Sequence, residues 1–196
     1  MSNNNYFLHE SSFVDKNVNI GDDTKIWHFS HIQMGAKIGR NCTFGQNVNV
    51  GKNVIIGNFC KVQNNVSIYE GIELEDFVFC GPSMVFTNIK RPRSEFPQNK
   101  SELYEKTLIR KSVTIGANAT IICGITIGKY AFIGAGSVVT KNIPDYAFVI
   151  GNPSRVVGWV NHYGDKLSFD KNGVSICPKT KKKYQLLNNK VKIIDE

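Results

Sequence analysis

Glu70 and Asn88 stand 18 residues apart, a spacing that puts a carboxylate and a carboxamide in one column if the chain repeats every 18 residues. A carboxylate attracts an ammonium, and an amide offers a donor and an acceptor to a neighbouring hydroxyl. The pair is therefore a candidate socket for an amine-bearing ligand; the plainer readings are a solvated carboxylate and a turn residue. His28, Gln46 and Asn64 form a second column with the same spacing, and His31 lies close by. Histidine is the usual general base near neutral pH, so His28 and His31 are candidate proton acceptors. The alternative is a set of stacked polar residues that satisfy their own hydrogen bonds. Lys90, Arg91 and Arg93 follow Asn88 directly. Guanidinium forks match diphosphates and carboxylates, and a solvated loop is again the alternative.

These columns depend on a repeat. From Val14, a step of six meets Ile20, Ile26, Ile32, Ile38, Phe44, Val50, Ile56, Val62, Ile68, Leu74, Cys80 and Phe86, none of them polar. Glycines such as Gly39, Gly45, Gly51 and Gly57 follow many of these positions. The phase breaks and then resumes at Ile109, Ile115, Ile121, Ile127, Ile133 and Val139. A period of six fits neither an α-helix nor a hairpin sheet. It fits a prism in which each hexapeptide supplies one short strand and one corner, and three hexapeptides close a coil of 18 residues. Coils stack about 4.8 Å apart through parallel backbone hydrogen bonds, and roughly six coils are expected at that spacing.

The repeat divides the chain. Residues 1–12 read as an N-terminal extension, 13–86 as coils, 87–108 as an excursion loop and 109–143 as further coils. Residues 144–165 read as a closing segment with a short helix over Val156 to His162, and 166–196 as a small β tail. A long excursion from a regular scaffold is usually functional. Hydrophobic residues are 41% and charged residues 20% of the chain, which excludes a disordered protein. The five cysteines form no CxxC pair, so they read as small buried hydrophobes and not as a disulfide or zinc framework. No apolar run is long enough for a membrane span, and the polar N-terminus has no signal core, so a cytoplasmic protein without membrane insertion is expected. The net charge of +8 suits anionic partners.

Four segments, 26–32, 63–88, 110–160 and the CP-containing tail, carry a resemblance beyond the repeat. The chain resembles the hexapeptide-repeat acyltransferases, and within them the N-acetyltransferases of nucleotide-linked 3-amino sugars. The resemblance implies an all-β, left-handed parallel β-helix, acetyl-CoA as cosubstrate, no metal, and a homotrimer with its sites at subunit boundaries. It is strongest for enzymes that acetylate a UDP-linked 2-acetamido-3-amino-2,3-dideoxy uronate for bacterial O-antigen. A dTDP-linked 3-amino-3,6-dideoxyhexose is the second expectation. By the motif GANATI…IGAGSVVTK…GNPSR, Gly116, Ala117, Gly134, Ala135, Lys141 and Arg155 are expected at coenzyme A. Glu70 and Asn88 are expected to hold the amino sugar. Some members of the wider family use a histidine base, for which His28 is the candidate, whereas the 3-amino sugar subgroup implies loss of the amine proton to the departing thiolate or through bound water. His31, Asn64, Lys90, Arg91 and Arg93 are expected around the substrate.

Other classes fit less well. A zinc enzyme on such a prism needs three converging histidines, and the chain has four in all, with His28 and His31 in one hexapeptide. A purely structural β-helix favours flat, threonine-rich faces, which are missing here. Nucleic acid is favoured only by net charge, without a binding motif.

Overall fold

The computed structural model describes residues 5–195. Short parallel strands, most of them two residues long, wind into a three-faced solenoid. Face A holds Phe7–Leu8, Lys25–Ile26, Thr43–Phe44, Lys61–Val62, Phe79–Cys80, Thr114–Ile115, Phe132–Ile133 and Ala147–Ile150. Face B runs from Phe13–Val14 to Val138–Val139, and face C from Asn19–Ile20 to Thr126–Ile127. Eight strands of face A are therefore stacked in parallel, giving about eight turns where about six were expected. The sequence count began too late and ended too early. Phe7–Leu8, inside the supposed extension, pairs with Lys25–Ile26, and Ala147–Ile150 pairs with Phe132–Ile133 past the last counted hexad.

The registers confirm the 18-residue coil: Lys61 lies over Thr43 and Phe79 over Lys61. Thr114 then lies over Phe79, a step of 35 residues in place of 18, so the excursion inserts 17. Regular structure resumes at Thr107–Ile109, two residues earlier than expected. The expected helix over Val156 to His162 is not formed. Arg155–Trp159 is a strand that turns back antiparallel on Ala147–Ile150, because Pro144 and Pro153 end the coil and the β-branched Val156 and Val157 suit a strand. The tail is a three-stranded antiparallel sheet of Val174–Ile176, Lys183–Leu187 and Lys190–Asp195. Among the described residues the only helical element is a 3₁₀ turn, Ser101–Leu103, in the excursion. Among the described residues no helix is long and apolar enough to cross a membrane.

The second residue of nearly every strand points inward. Ile26, Ile32, Phe44, Val50, Ile68, Ile115 and Ile133 are fully buried. Leu8, Val14 and Ile20, inward positions of the first described coil, are only partly buried. All five cysteines are free and buried, and burial pushes the Cys80 thiol up to about 12. Buried hydroxyls take the place of carbon at a few corners. Thr24 donates to the Gly39 carbonyl and accepts from the Cys42 N–H, and Ser30 does the same with Gly45 and Val48.

Corners explain the glycines and asparagines. A Cβ on Gly116 would lie 2.4 Å from the Ala135 nitrogen of the next coil, so only glycine lets the two coils approach. One residue per corner takes a left-handed backbone, among them Asn47, Asn65 and Asn118 between faces A and B. That conformation costs most L-residues roughly 1–2 kcal/mol and asparagine less.

Candidate functional site

Most of the expected site residues fall on two corners that flank face B. Glu70 and Asn88 lie on the corner between faces B and C. Asn88 opens the excursion, and its carbonyl accepts the Glu105 N–H at 2.9 Å, which closes the loop at its base. The two side chains meet differently from the expected pairing. Asn88 Nδ2 donates to the Glu70 backbone carbonyl at 3.3 Å, while the Glu70 carboxylate accepts from Asn53 Nδ2 at 3.1 Å. Asn53 holds one carboxylate oxygen, and the other has no hydrogen-bond partner among the described residues. Beside them a cavity of about 440 Å³ opens on face C, lined by Asn53, Gly71, Glu73, Lys106 and Leu108. Lys90, Arg91 and Arg93 stand exposed on the excursion and enter none of the ion pairs among the described residues. Lys141 is exposed on the same B–C corner, three coil levels above Glu70.

The opposite corner, between faces A and B, carries His28, Asn64, Gly116, Ala117, Gly134 and Ala135. His28 stacks on His9 with ring centroids 3.5 Å apart. With Trp27, Gln46, Gln63 and Asn64 it lines a shallow cavity of about 290 Å³. The backbone here carries both capped and free amides. Where the next coil supplies Asn or Asp, its side-chain oxygen caps the corner N–H: on this corner Asn64 accepts from Gln46, and on the corner between faces C and A Asn58 accepts from Arg40 and Asp145 from Lys129. Above Asn64 the next coil supplies Pro82, and above Ala117 it supplies Ala135; neither side chain has an oxygen. The N–H groups of Asn64, Ala117 and Ala135 therefore find no partner among the described residues. The three amides lie on one corner, with Pro82, which has no N–H, at the level between Asn64 and Ala117.

Face B joins the two corners, and His31 projects from it. Its Nε2 lies 2.8 Å from Asp15 Oδ1, and that hydrogen bond, helped by the Met34 N–H, holds the Asp15 carboxyl below its usual range. Arg155 sits apart, where its guanidinium donates to the Ser154 carbonyl at 2.9 Å. The structure thus brings Glu70 and Asn88 together, groups His28 with Asn64, and separates both from Arg155. No cluster of three or more His, Cys, Asp or Glu suited to a metal ion occurs among the described residues.

The model of the bacterial transferase hexapeptide (six repeats) matches residues 17–52 and 106–141, and that of the hexapeptide repeat of succinyl-transferase matches 35–70. The dTDP-3-amino-3,6-dideoxy-α-D-galactopyranose 3-N-acetyltransferase of Aneurinibacillus thermoaerophilus is 42% identical over 88% of this chain and 88% of its own length. The chain belongs to the hexapeptide-repeat acyltransferase family. It is also 31% identical to the bifunctional protein GlmU of Thermodesulfovibrio yellowstonii over 76% of this chain, but spans only 33% of that protein. A crystal structure of a variant of AntD, an N-acyltransferase from Bacillus cereus, in complex with dTDP and coenzyme A shares the fold. Its TM-score is 0.58 at 21% identity, over 74% of this chain and 79% of that one.

Within this acyltransferase, three residues near the expected site escaped the sequence reading. Asp15 lies 16 residues before His31 and Asn53 lies 17 before Glu70, so both bond diagonally across a coil step and not along the 18-residue column. Glu105 returns the excursion to the corner, with its carboxylate against Gly124. A reading of the column spacing alone does not reach such diagonal partners.

Proposed function

We propose that this N-acetyltransferase of nucleotide-linked amino sugars moves the acetyl group of acetyl-CoA to the 3-amino group of a dTDP-linked 3-amino-3,6-dideoxyhexose. We further propose that it works as a homotrimer, each site lying where the A–B corner of one subunit meets the B–C corner and excursion of the next. The observation that carries the reading is the division of labour between the corners. A row of unpartnered N–H groups suits the amide and thioester oxygens of an extended pantetheine arm, and a carboxylate with one free oxygen suits a sugar ammonium. One flat prism face cannot enclose so long a cosubstrate; two prisms side by side can. The dTDP-linked acceptor, second on the sequence evidence, is favoured over the UDP-linked uronate by the 42% identity to the Aneurinibacillus enzyme.

In this reading Glu70 attracts and orients the substrate ammonium, with Asn53 fixing the carboxylate and Asn88 fixing the corner. The attraction also stabilises the charged form, so one ammonium proton must pass to solvent water before attack, and a second proton leaves the nitrogen when the intermediate collapses. The free amine then adds to the thioester carbonyl. The developing oxyanion is held by corner N–H donors. The tetrahedral intermediate collapses with loss of the coenzyme A thiolate, which takes the amine's proton directly or through water. Lys90, Arg91 and Arg93 are placed to meet the diphosphate. The test is acetylation of a panel of dTDP- and UDP-linked amino sugars with acetyl-CoA. The dTDP-linked 3-amino-3,6-dideoxyhexose should show the highest kcat/KM. Preference for a UDP-linked 3-amino uronate would return the acceptor to the other expectation, and no transfer to any member would overturn the reading.

A further inference from the structure

The corner between faces C and A is built differently from the other two. Its left-handed positions are Asp23, Asn41, Phe59, Phe77, Ser112, Tyr130 and Tyr146. The equivalent positions on the A–B corner are Asn, Ser or Gly everywhere above Phe29. Aromatic residues tolerate this backbone poorly, yet four of the upper five positions here carry one.

The rings form two ordered pairs. Phe59 and Phe77 are parallel within 3°, with centroids 5.0 Å apart. Tyr130 and Tyr146 are parallel within 5°, also 5.0 Å apart. Ser112 stands between the pairs: strand registers place it one coil above Phe77 and one coil below Tyr130. The column of rings therefore skips one level. Two coil steps separate Phe77 from Tyr130, about 9.6 Å, enough to admit one planar ring between them.

Charge marks the same place. Lys111 lays its ammonium over the Phe77 ring, 5.5 Å from the centroid, and Arg40 lies 5.7 Å from that of Phe59. The ion pairs among the described residues include neither cation. The neighbouring carboxylates are engaged elsewhere. Glu75 accepts the Lys111 backbone N–H and faces Arg110, Asp76 accepts from Asn58, and Asp145 accepts the Lys129 N–H. The gap thus has an aromatic ring on either side and one cation, Lys111, over its lower ring, while Arg40 lies two coils below Phe77.

We infer that the gap at Ser112 is a nucleotide slot, in which a nucleobase stacks between Phe77 and Tyr130 while Lys111 leaves the Phe77 face to meet a phosphate. Stacking on aromatic faces and a nearby cation are the usual means of holding a base without reading its edge. The two nucleotides offered by the proposed reaction are the acceptor's pyrimidine nucleoside diphosphate and the 3′-phosphorylated adenosine of coenzyme A. The slot rests on that reading only for these two sources, and its test needs no turnover.

Binding is measured by calorimetry with dTDP and, separately, with adenosine 3′,5′-bisphosphate. Ser112→Tyr completes the ring column with a residue that its neighbours Tyr130 and Tyr146 already accommodate at the same backbone angle. It should weaken one of the two nucleotides at least about tenfold, and the affected nucleotide identifies the source. Phe77→Leu keeps the bulk but removes the ring and should weaken the same nucleotide, as should Lys111→Ala. If wild type binds neither nucleotide, or if Ser112→Tyr and Phe77→Leu bind both as wild type does, the slot is refuted. If Ser112→Tyr fails to fold, Phe77→Leu and Lys111→Ala decide the matter alone.

Discussion

The two corners that flank face B share one repeat and differ in what interrupts it. On the A–B corner the chain turns regularly from coil to coil, and the variable is only which side chain caps which amide. Asn64 caps Gln46, whereas Pro82 and Ala135 cap nothing, so donors appear where the capping residue is lost. On the B–C corner the chain leaves the prism after Asn88 and returns at Glu105, and the polar groups there are side chains held by other side chains. Regular geometry suits the invariant part of a reaction, the long amide-bearing cosubstrate. An insertion suits the part that distinguishes one acceptor from another.

The prism that both corners share gives the largest expected effect. Ile56 is 2% exposed, and Ile56→Asp would bury a carboxylate with no partner at a cost of several kcal/mol. That is comparable with the whole stability of a domain, about 5–15 kcal/mol, so the protein should aggregate or lose its β circular dichroism. A soluble variant with a native thermal midpoint would contradict the inward register. Loss of activity at either corner without loss of folding then separates site from scaffold.

The B–C corner comes next. Glu70→Ala and Asn88→Ala should each lower kcat/KM for the amino sugar at least about tenfold, or roughly 1.4 kcal/mol of transition-state binding. The KM for acetyl-CoA should hardly change. His28→Asn, on the A–B corner, serves as the counter-experiment. Should Glu70→Gln keep full activity across pH while His28→Asn is inactive, the acceptor and its base belong on the A–B corner.

The smallest effect lies outside both corners, in the tail. His162 Nδ1 accepts the Tyr184 hydroxyl proton, and burial lowers the His162 pKa while it raises that of Tyr184. The unfolded chain takes up a proton near 6.5, before the folded chain does. The contribution of neutral His162 is thus complete above about pH 6.5 and fades as pH falls through the lower folded value. Hydrogen-exchange protection over 174–187, relative to intrinsic exchange at each pH, should fall between pH 7.5 and 5.5, and His162→Gln should flatten that dependence. Equal protection at both pH values in the wild type would rule out the coupling.

Much of this was legible in the sequence because the scaffold repeats. The inward hexads, the 18-residue columns and the place of the excursion follow from period alone, since a stacked coil repeats the same environment. The ends were misread for the same reason. Leu8 and Val149 continue the inward frame, but Phe7 and Phe148 beside them, and the prolines after Val139, disguise it. Arg155–Trp159 lost its helix to an edge of face A that needed a partner strand, a tertiary demand invisible to local pattern. Glu70 and Asn88 do stack one coil apart, as their spacing implies, yet Asn53 and Asp15 were missed, because their bonds run diagonally between coils. The free N–H row needs the absence of a capping oxygen one coil above, a fact about two distant residues at once.

The central claim is that each active site joins the A–B corner of one subunit to the B–C corner of another, and mixed oligomers test it most directly. Ala135→Trp places bulk on an exposed corner and should block the cosubstrate row; Asn88→Ala should disable the acceptor side. Each variant alone is expected to be nearly inactive while folded. Co-expressed and co-purified, the two should recover activity in roughly one quarter of the sites by random assortment around a closed ring, because some boundaries then pair two unaltered corners. Mixed oligomers no more active than either parent would contradict the account and place the whole site on a single subunit.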